Sequence, residues 1–208
     1  RVPCRSSCVL RNGVDLEFFK PAPERAEPAH IVFTGVMDYF PNVDACDHFA
    51  REVLPTVRRE HPQARFSIVG SHPVERVRAL GNLPGVTVTG FVHDTRDWLA
   101  RASLAVAPLR IARGIQNKVL EACAMGLPLV GSTSATQGVE WKGPADEAPF
   151  VVADGAVATA AAVCALLKDR AAAAKLGRSA RAFVEANYAW DRCLDELDRI
   201  LARCAPTA

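Results

Sequence analysis

Excess charge of either sign is missing: 25 Lys and Arg stand against 23 Asp and Glu, a net +2 over 208 residues. With no basic run or stripe to follow a phosphate backbone, nucleic acid is not an expected partner. Long apolar runs are missing too. The longest weakly polar stretch, 156–167, is Ala-rich, contains Thr159 and falls short of the roughly 20 apolar residues a membrane span needs. The seven cysteines, at 4, 8, 46, 123, 164, 193 and 204, form neither a CxxC pair nor a Cys/His cluster with zinc spacing. They read as reduced, structural thiols of a cytoplasmic protein. Cys4 and Cys8 are the pair spaced closely enough for redox or metal chemistry. No G-x-G-x-x-G or G-x-x-x-x-G-K-[ST] loop follows any strand-like run, which counts against nicotinamide oxidoreductases and P-loop NTPases. No repeat of fixed period occurs. The start at Arg1, with no Met, signal core or targeting pattern, is expected of a fragment of something longer.

What is present points to a compact domain: half the residues are apolar and 23% charged, and a chain of this length can bury roughly 70% of its unfolded surface. Residues 1–29, with the turn dipeptide Asn12-Gly13 and with Pro21, Pro23 and Pro28, suit neither helix nor strand and read as an interdomain arm. From His30 onward, β-rich runs at 31–36, 65–70, 86–91, 103–107, 127–132 and 150–153 alternate with segments long enough for crossover helices. The expected fold is α/β, a Rossmann-like parallel sheet of about six strands with helices on both faces. Residues 66–69 and 104–107 are mostly apolar rather than alternating, as strands covered on both faces should be. In 42–60, Val43, Cys46, Ala50, Val53 and Val57 recur at helical spacing, with Pro55 expected to kink the helix. Three helices are expected after Ala153, at about 155–168, 172–187 and 190–204. The last carries an apolar stripe of Trp190, Cys193, Leu194, Leu197, Ile200, Leu201 and Cys204 that needs a partner surface.

Ligands of open parallel sheets bind beyond the carboxyl ends of the strands. The residues there are Gly35, Met37 and Asp38; Gly70, Ser71 and His72; Gly90, Phe91, Val92 and His93; and the stretch from Pro108 through Lys118. Gly114 permits close backbone approach. The helix that follows offers free N–H groups and about half a positive charge. Arg110, Arg113 and Lys118 could supply the further cations a diphosphate needs, with Lys118 near the helix mouth. Glu121, three residues on and on the same face, is placed to accept from two adjacent sugar hydroxyls. The plainer alternative is a Lys118–Glu121 surface ion pair behind an ordinary loop glycine. His72 and His93, at strand ends, stand either as acid or base or as polar loop residues.

These residues carry a family likeness. The run Gly114-Ile115-Gln116-Asn117-Lys118-Val119-Leu120-Glu121-Ala122-Cys123-Ala124-Met125-Gly126-Leu127-Pro128-Leu129-Val130 resembles the donor-site signature of the group 1 retaining glycosyltransferases with the GT-B fold. Arg11-Asn12-Gly13-Val14-Asp15 resembles the lead-in to that family's carboxyl-terminal domain. Phe33-Thr34-Gly35 resembles its first strand and glycine loop, and Ile68-Val69-Gly70, Val88-Thr89-Gly90-Phe91-Val92 and Tyr188-Ala189-Trp190 also fit. Met37-Asp38-Tyr39-Phe40-Pro41-Asn42 and 114–118 look most like the sugar transferases associated with exosortase and PEP-CTERM exopolysaccharide systems.

The resemblance implies one half of a GT-B fold: an arm at 1–29, a nucleotide-sugar donor-binding domain at 30–187, and a terminal helix at 188–208 packing toward an absent amino-terminal domain. It implies transfer from a nucleotide-diphosphate sugar, the donor substrate rather than a cofactor, to a glycan or lipid-linked acceptor held by that absent domain. The setting is cytoplasmic, at the inner face of the membrane if the full-length enzyme associates peripherally. Lys118, with the amides of Gly114, Ile115, Gln116 and Asn117, would meet the diphosphate, Glu121 the ribose, and Phe91, Val92 and His93 the base. Two departures stand out. The first glutamate of the family's pair falls on Arg113, and 36–42 lack the Arg and Lys common after the first strand; Arg110, Arg113 and Lys118 could compensate. No Asp-x-Asp occurs, so no metal ion is expected at the diphosphate, and no catalytic base is assigned. A GT-B-like nucleotide-sugar epimerase and a non-catalytic nucleotide-binding module are the rival readings.

Overall fold

The computed structural model describes residues 10–144 and 147–204; Cys4, Cys8 and the first part of the arm lie outside the described residues, as does the side chain of Cys204. Each of the six β-rich runs marks one strand, the first beginning one residue earlier than its run: β1 His30–Thr34, β2 Arg65–Val69, β3 Val86–Val88, β4 Leu104–Ala107, β5 Leu129–Gly131 and β6 Val151–Val152. All neighbours pair in parallel, in the order β3-β2-β1-β4-β5-β6. His30 stands opposite Arg65 and Ile31 opposite Leu104. Every residue of β1 and β4 is buried, as continuous apolar strands covered on both faces require. Several strands stop short of the apolar runs that hold them. Gly70 at φ 150° and Gly90 at φ 69° lie just past β2 and β3, where they turn the chain out of the ladder.

The helices are α1 Phe40–His48, α2 Leu54–Glu60, α3 Glu75–Arg78, α4 Arg96–Arg101, α5 Asn117–Ala124, α6 Thr133–Thr136, α7 Gly155–Lys168, α8 Arg170–Asn187 and α9 Trp190–Cys204. On one face α1 meets α3 and α2 meets α7; on the other α4 meets β1 and α5 meets α8. The kink expected at Pro55 takes the form of a widened turn, Phe49–Val53, between α1 and α2, where the Leu54 N–H reaches back to Phe49 O. Proline has no N–H, and its ring would strike the carbonyl four residues back in a regular helix, so the extra residue in the preceding turn relieves both defects. Among the described residues no helix is long and apolar enough to cross a membrane.

Residues 10–29 lie against the domain. Val14 N–H donates to Tyr188 O at 2.7 Å, and Val14 bridges Ala189 in parallel. The Arg181 guanidinium donates to Phe19 O and Ala124 O, each at 2.7 Å, fixing the arm to α5 and α8 together. On α9 Cys193 is buried, while Trp190, Leu194 and Leu201 remain exposed.

Candidate functional site

Strand order reverses between β1 and β4, so the loops after these two strands diverge and leave a crevice between the starts of α1 and α5. Two side-chain bonds cross it. Lys118 Nζ donates to Asn42 Oδ1 at 2.6 Å and lies 4.8 Å from the centre of the Phe33 ring. Asn42, buried at the start of α1, donates in turn to Val36 O at 2.9 Å, which holds its oxygen toward the lysine. Arg110 grips Asp44 of α1 through two guanidinium nitrogens, one of them Nε at 2.8 Å from Oδ2. That contact holds the Asp44 carboxyl below its ordinary range.

Lys118 and Glu121 do not form the surface ion pair allowed by their spacing. Burial pulls Lys118 down to about 8, with Cys46 and Glu121 opposing only in part. Burial likewise pushes Glu121 up, against the pull of Lys118. Among the described residues the Glu121 carboxylate has no hydrogen-bond partner and Lys118 no carboxylate within ion-pair distance. The first amides of α5 are uncapped, because Gln116 turns its Nε2 to Arg113 O at 3.1 Å. Asn117 accepts from Asn12 of the arm at 3.3 Å. Gly114 has φ 66°, and its carbonyl lies so close to Gly138 that a side chain at 138 would strike it. Ile115 is half-buried, and Arg113 is exposed.

The loops after β1 and β2 are packed together. Met37 N–H donates to Ser71 O at 2.8 Å, and a Cβ on Gly70 would collide with Gly35 O. His72 is exposed at φ 56°. Beyond β3, Phe91 is 70% exposed and meets His93 edge-on at 5.3 Å, while Val92 is half-buried. This aromatic corner lies beyond β3, with β2 and β1 between it and the crevice.

The structure thus brings Gly114, Gln116, Asn117, Lys118 and Glu121 to one helix mouth. It commits Arg110 to Asp44 and leaves the Arg113 side chain exposed. Sequence reading passed over Asn42 and Asp44 as site members. The signal was their position: two polar side chains facing inward on a helix where Val43, Ala45 and Cys46 are also buried. A third group also escaped. Glu60, His61 and Cys164 come together in space, although their spacing along the chain matches no zinc motif.

Comparison with known proteins places these features in context. The family described as "Glycosyl transferases group 1" matches residues 28–169. Glycogen synthase of Mycobacterium tuberculosis is 30% identical over 194 residues, covering 88% of this chain and 45% of the synthase. The chain therefore spans less than half the length of the curated relatives it matches. Sucrose-phosphate synthase from Thermosynechococcus elongatus superposes with a TM-score of 0.72 at 21% identity, over 94% of this chain and 53% of that one. The Anabaena protein HepE, solved in complex with UDP, superposes with a TM-score of 0.74 at 15% identity, over 94% and 57%.

Proposed function

This chain belongs to the group 1 glycosyl transferases, and on that premise we propose that the crevice between β1 and β4 holds the diphosphate of a nucleotide sugar. The chain would then be the donor half of a GT-B enzyme that retains configuration at the transferred sugar. The observation that carries this reading is Lys118. A half-buried ammonium whose hydrogen bond goes to a neutral amide, with no carboxylate in ion-pair contact, is costly unless an anion arrives to match it. The uncapped amides of α5 open at the same place.

In the proposed reaction the bond from the sugar's anomeric carbon to the diphosphate breaks, its electron pair leaving on the phosphate oxygen. The acceptor hydroxyl forms the new bond and gives up its proton to the departing phosphate oxygen. Charge grows on the departing phosphate, where Lys118, the amides of 114–118 and Arg113 would stabilise it without a metal ion. Glu121 would accept from the ribose hydroxyls, and Phe91 to His93 would border the base. UDP, the nucleotide bound by HepE, is the first candidate. The acceptor, a glycan or a lipid-linked sugar, would bind a second domain, against which the exposed Trp190, Leu194 and Leu201 of α9 would pack. The likeness of 37–42 and 114–118 to the exosortase-associated transferases supports a role in exopolysaccharide synthesis, in the cytoplasm or at the inner membrane face.

Calorimetric titration of the purified chain with UDP, GDP, ADP and TDP, in EDTA, tests the proposal. One of them is expected to bind saturably and more tightly than its free nucleoside. Failure of all four up to millimolar concentration overturns the reading.

A further inference from the structure

At the other end of the sheet α2 finishes at Glu60, the chain turns through His61, and α7 packs across it. Glu60, His61 and Cys164 each present one donor atom there, all three within 4.8 Å of one another. The His61 backbone is fixed on both sides, its N–H donating to Val57 O and its carbonyl accepting from Ala64 N, each at 2.8 Å. Its ring has no hydrogen-bond or ion-pair partner among the described residues. Cys164 is a free, buried thiol on α7. Burial pushes this thiol up, and the neighbouring Glu60 adds to the effect.

A hydrogen bond between Cys164 and Glu60 would account for two members of the group but leaves the imidazole unexplained. One thiolate, one imidazole and one carboxylate suit Zn²⁺, whereas Mg²⁺ and Ca²⁺ prefer all-oxygen sets. Bonds of about 2.0–2.3 Å to a tetrahedral ion put donors about 3.4–3.7 Å apart. Glu60, exposed at a helix end, can make up the difference by rotation. His61 also lines a cavity of about 630 Å³ bordered by Ala29, Ser103 and Pro128. These residues lie at the amino ends of β1, β4 and β5.

We propose that Glu60, His61 and Cys164 form a Zn²⁺ site that clamps α2 to α7, a water completing the tetrahedron. On binding, the metal replaces the thiol proton, which is released to solvent. The site lies at the end of the strands opposite the crevice, so it is independent of the donor reading and its test uses no nucleotide.

The test uses the whole chain freed of metal by dialysis against chelator, titrated with Co²⁺ and then Zn²⁺. A thiolate-to-cobalt charge-transfer band should saturate at one equivalent and vanish on adding Zn²⁺. The melting temperature should rise with Zn²⁺ and not with Mg²⁺. Cys164→Ser should abolish the band. His61→Ala, at a half-exposed position outside the core, should weaken Co²⁺ binding at least about tenfold. Cys4→Ser combined with Cys8→Ser should change nothing. The assignment is overturned if no band forms, if the band survives Cys164→Ser, if it is lost with the Cys4 and Cys8 pair, or if His61→Ala binds Co²⁺ as tightly as the unaltered chain.

Discussion

Lys118 and Glu121 sit one helical turn apart, yet their environments assign them different work. Lys118 is turned across the crevice to Asn42, and the Glu121 carboxylate has no hydrogen-bond partner among the described residues. If Lys118 meets the diphosphate, Lys118→Ala should weaken nucleoside diphosphate binding by about 1.5–3 kcal/mol and hardly affect the free nucleoside. If Glu121 holds the ribose, Glu121→Gln should weaken both ligands alike; calorimetry with both ligands separates the two. The sign of the pH effect follows from Lys118 titrating near 8 in the folded chain. A bound diphosphate favours the ammonium, so affinity should be full below about pH 8 and fall as pH rises above it, by up to about tenfold per pH unit. Lys118→Arg should flatten that fall over the same range. For folding the sign reverses. A lysine depressed on folding costs stability below its folded value, and that cost fades as pH rises from about 8 toward its ordinary range. Without ligand at pH 7, Lys118→Met should therefore be more stable than the unaltered chain by about 1–2 kcal/mol in urea unfolding, and the gap should close at alkaline pH.

Among elements, the loops after β1 and β2 show how closely two strand ends must approach to floor the crevice. Gly70 and Gly90 both have positive φ, but a side chain at Gly70 meets the Gly35 carbonyl whereas one at Gly90 meets nothing within 4 Å. Gly90→Ala should cost about 1–2 kcal/mol from backbone conformation alone. Gly70→Ala should cost visibly more, because a backbone carbonyl cannot rotate away as a side chain can, and denaturant melts of the two variants check the difference. Helix α9 makes the opposite case. Leu194 and Leu201 are about half exposed, so Leu194→Glu with Leu201→Glu should alter this chain's stability by no more than about 1 kcal/mol. In an enzyme with both domains present, the same pair should lower turnover if α9 packs against the acceptor half.

For the molecule as a whole, transfer requires donor and acceptor in one closed site, so if the crevice holds the donor the acceptor needs a second surface facing it. The 208-residue chain should bind nucleoside diphosphate and yet transfer no sugar from a nucleotide sugar to any acceptor. Turnover measured with the purified chain would overturn the two-domain reading. EDTA should leave nucleoside diphosphate affinity unchanged, since the proposed zinc clamp lies at the opposite end of the sheet. A loss of affinity in EDTA that Mn²⁺ restores would place a metal ion at the diphosphate after all.

Much of this architecture was legible in local pattern. The apolar runs, the helical spacings and the glycines after strands depend on neighbours within a few residues, so six strands, the helices after 153 and the glycine turn at 114 could be read directly. Pro55 announced a defect, though not that a widened turn would absorb it. Tertiary structure decided what faces what. Asn42 meets Lys118, Asp44 pairs with Arg110, Arg181 ties down the arm, and Cys164 arrives beside Glu60 and His61. These partners are far apart in the chain, and strand order and crossover direction bring them together. No local periodicity carries that information, because a pattern specifies which face of an element is apolar and not which distant element will cover it.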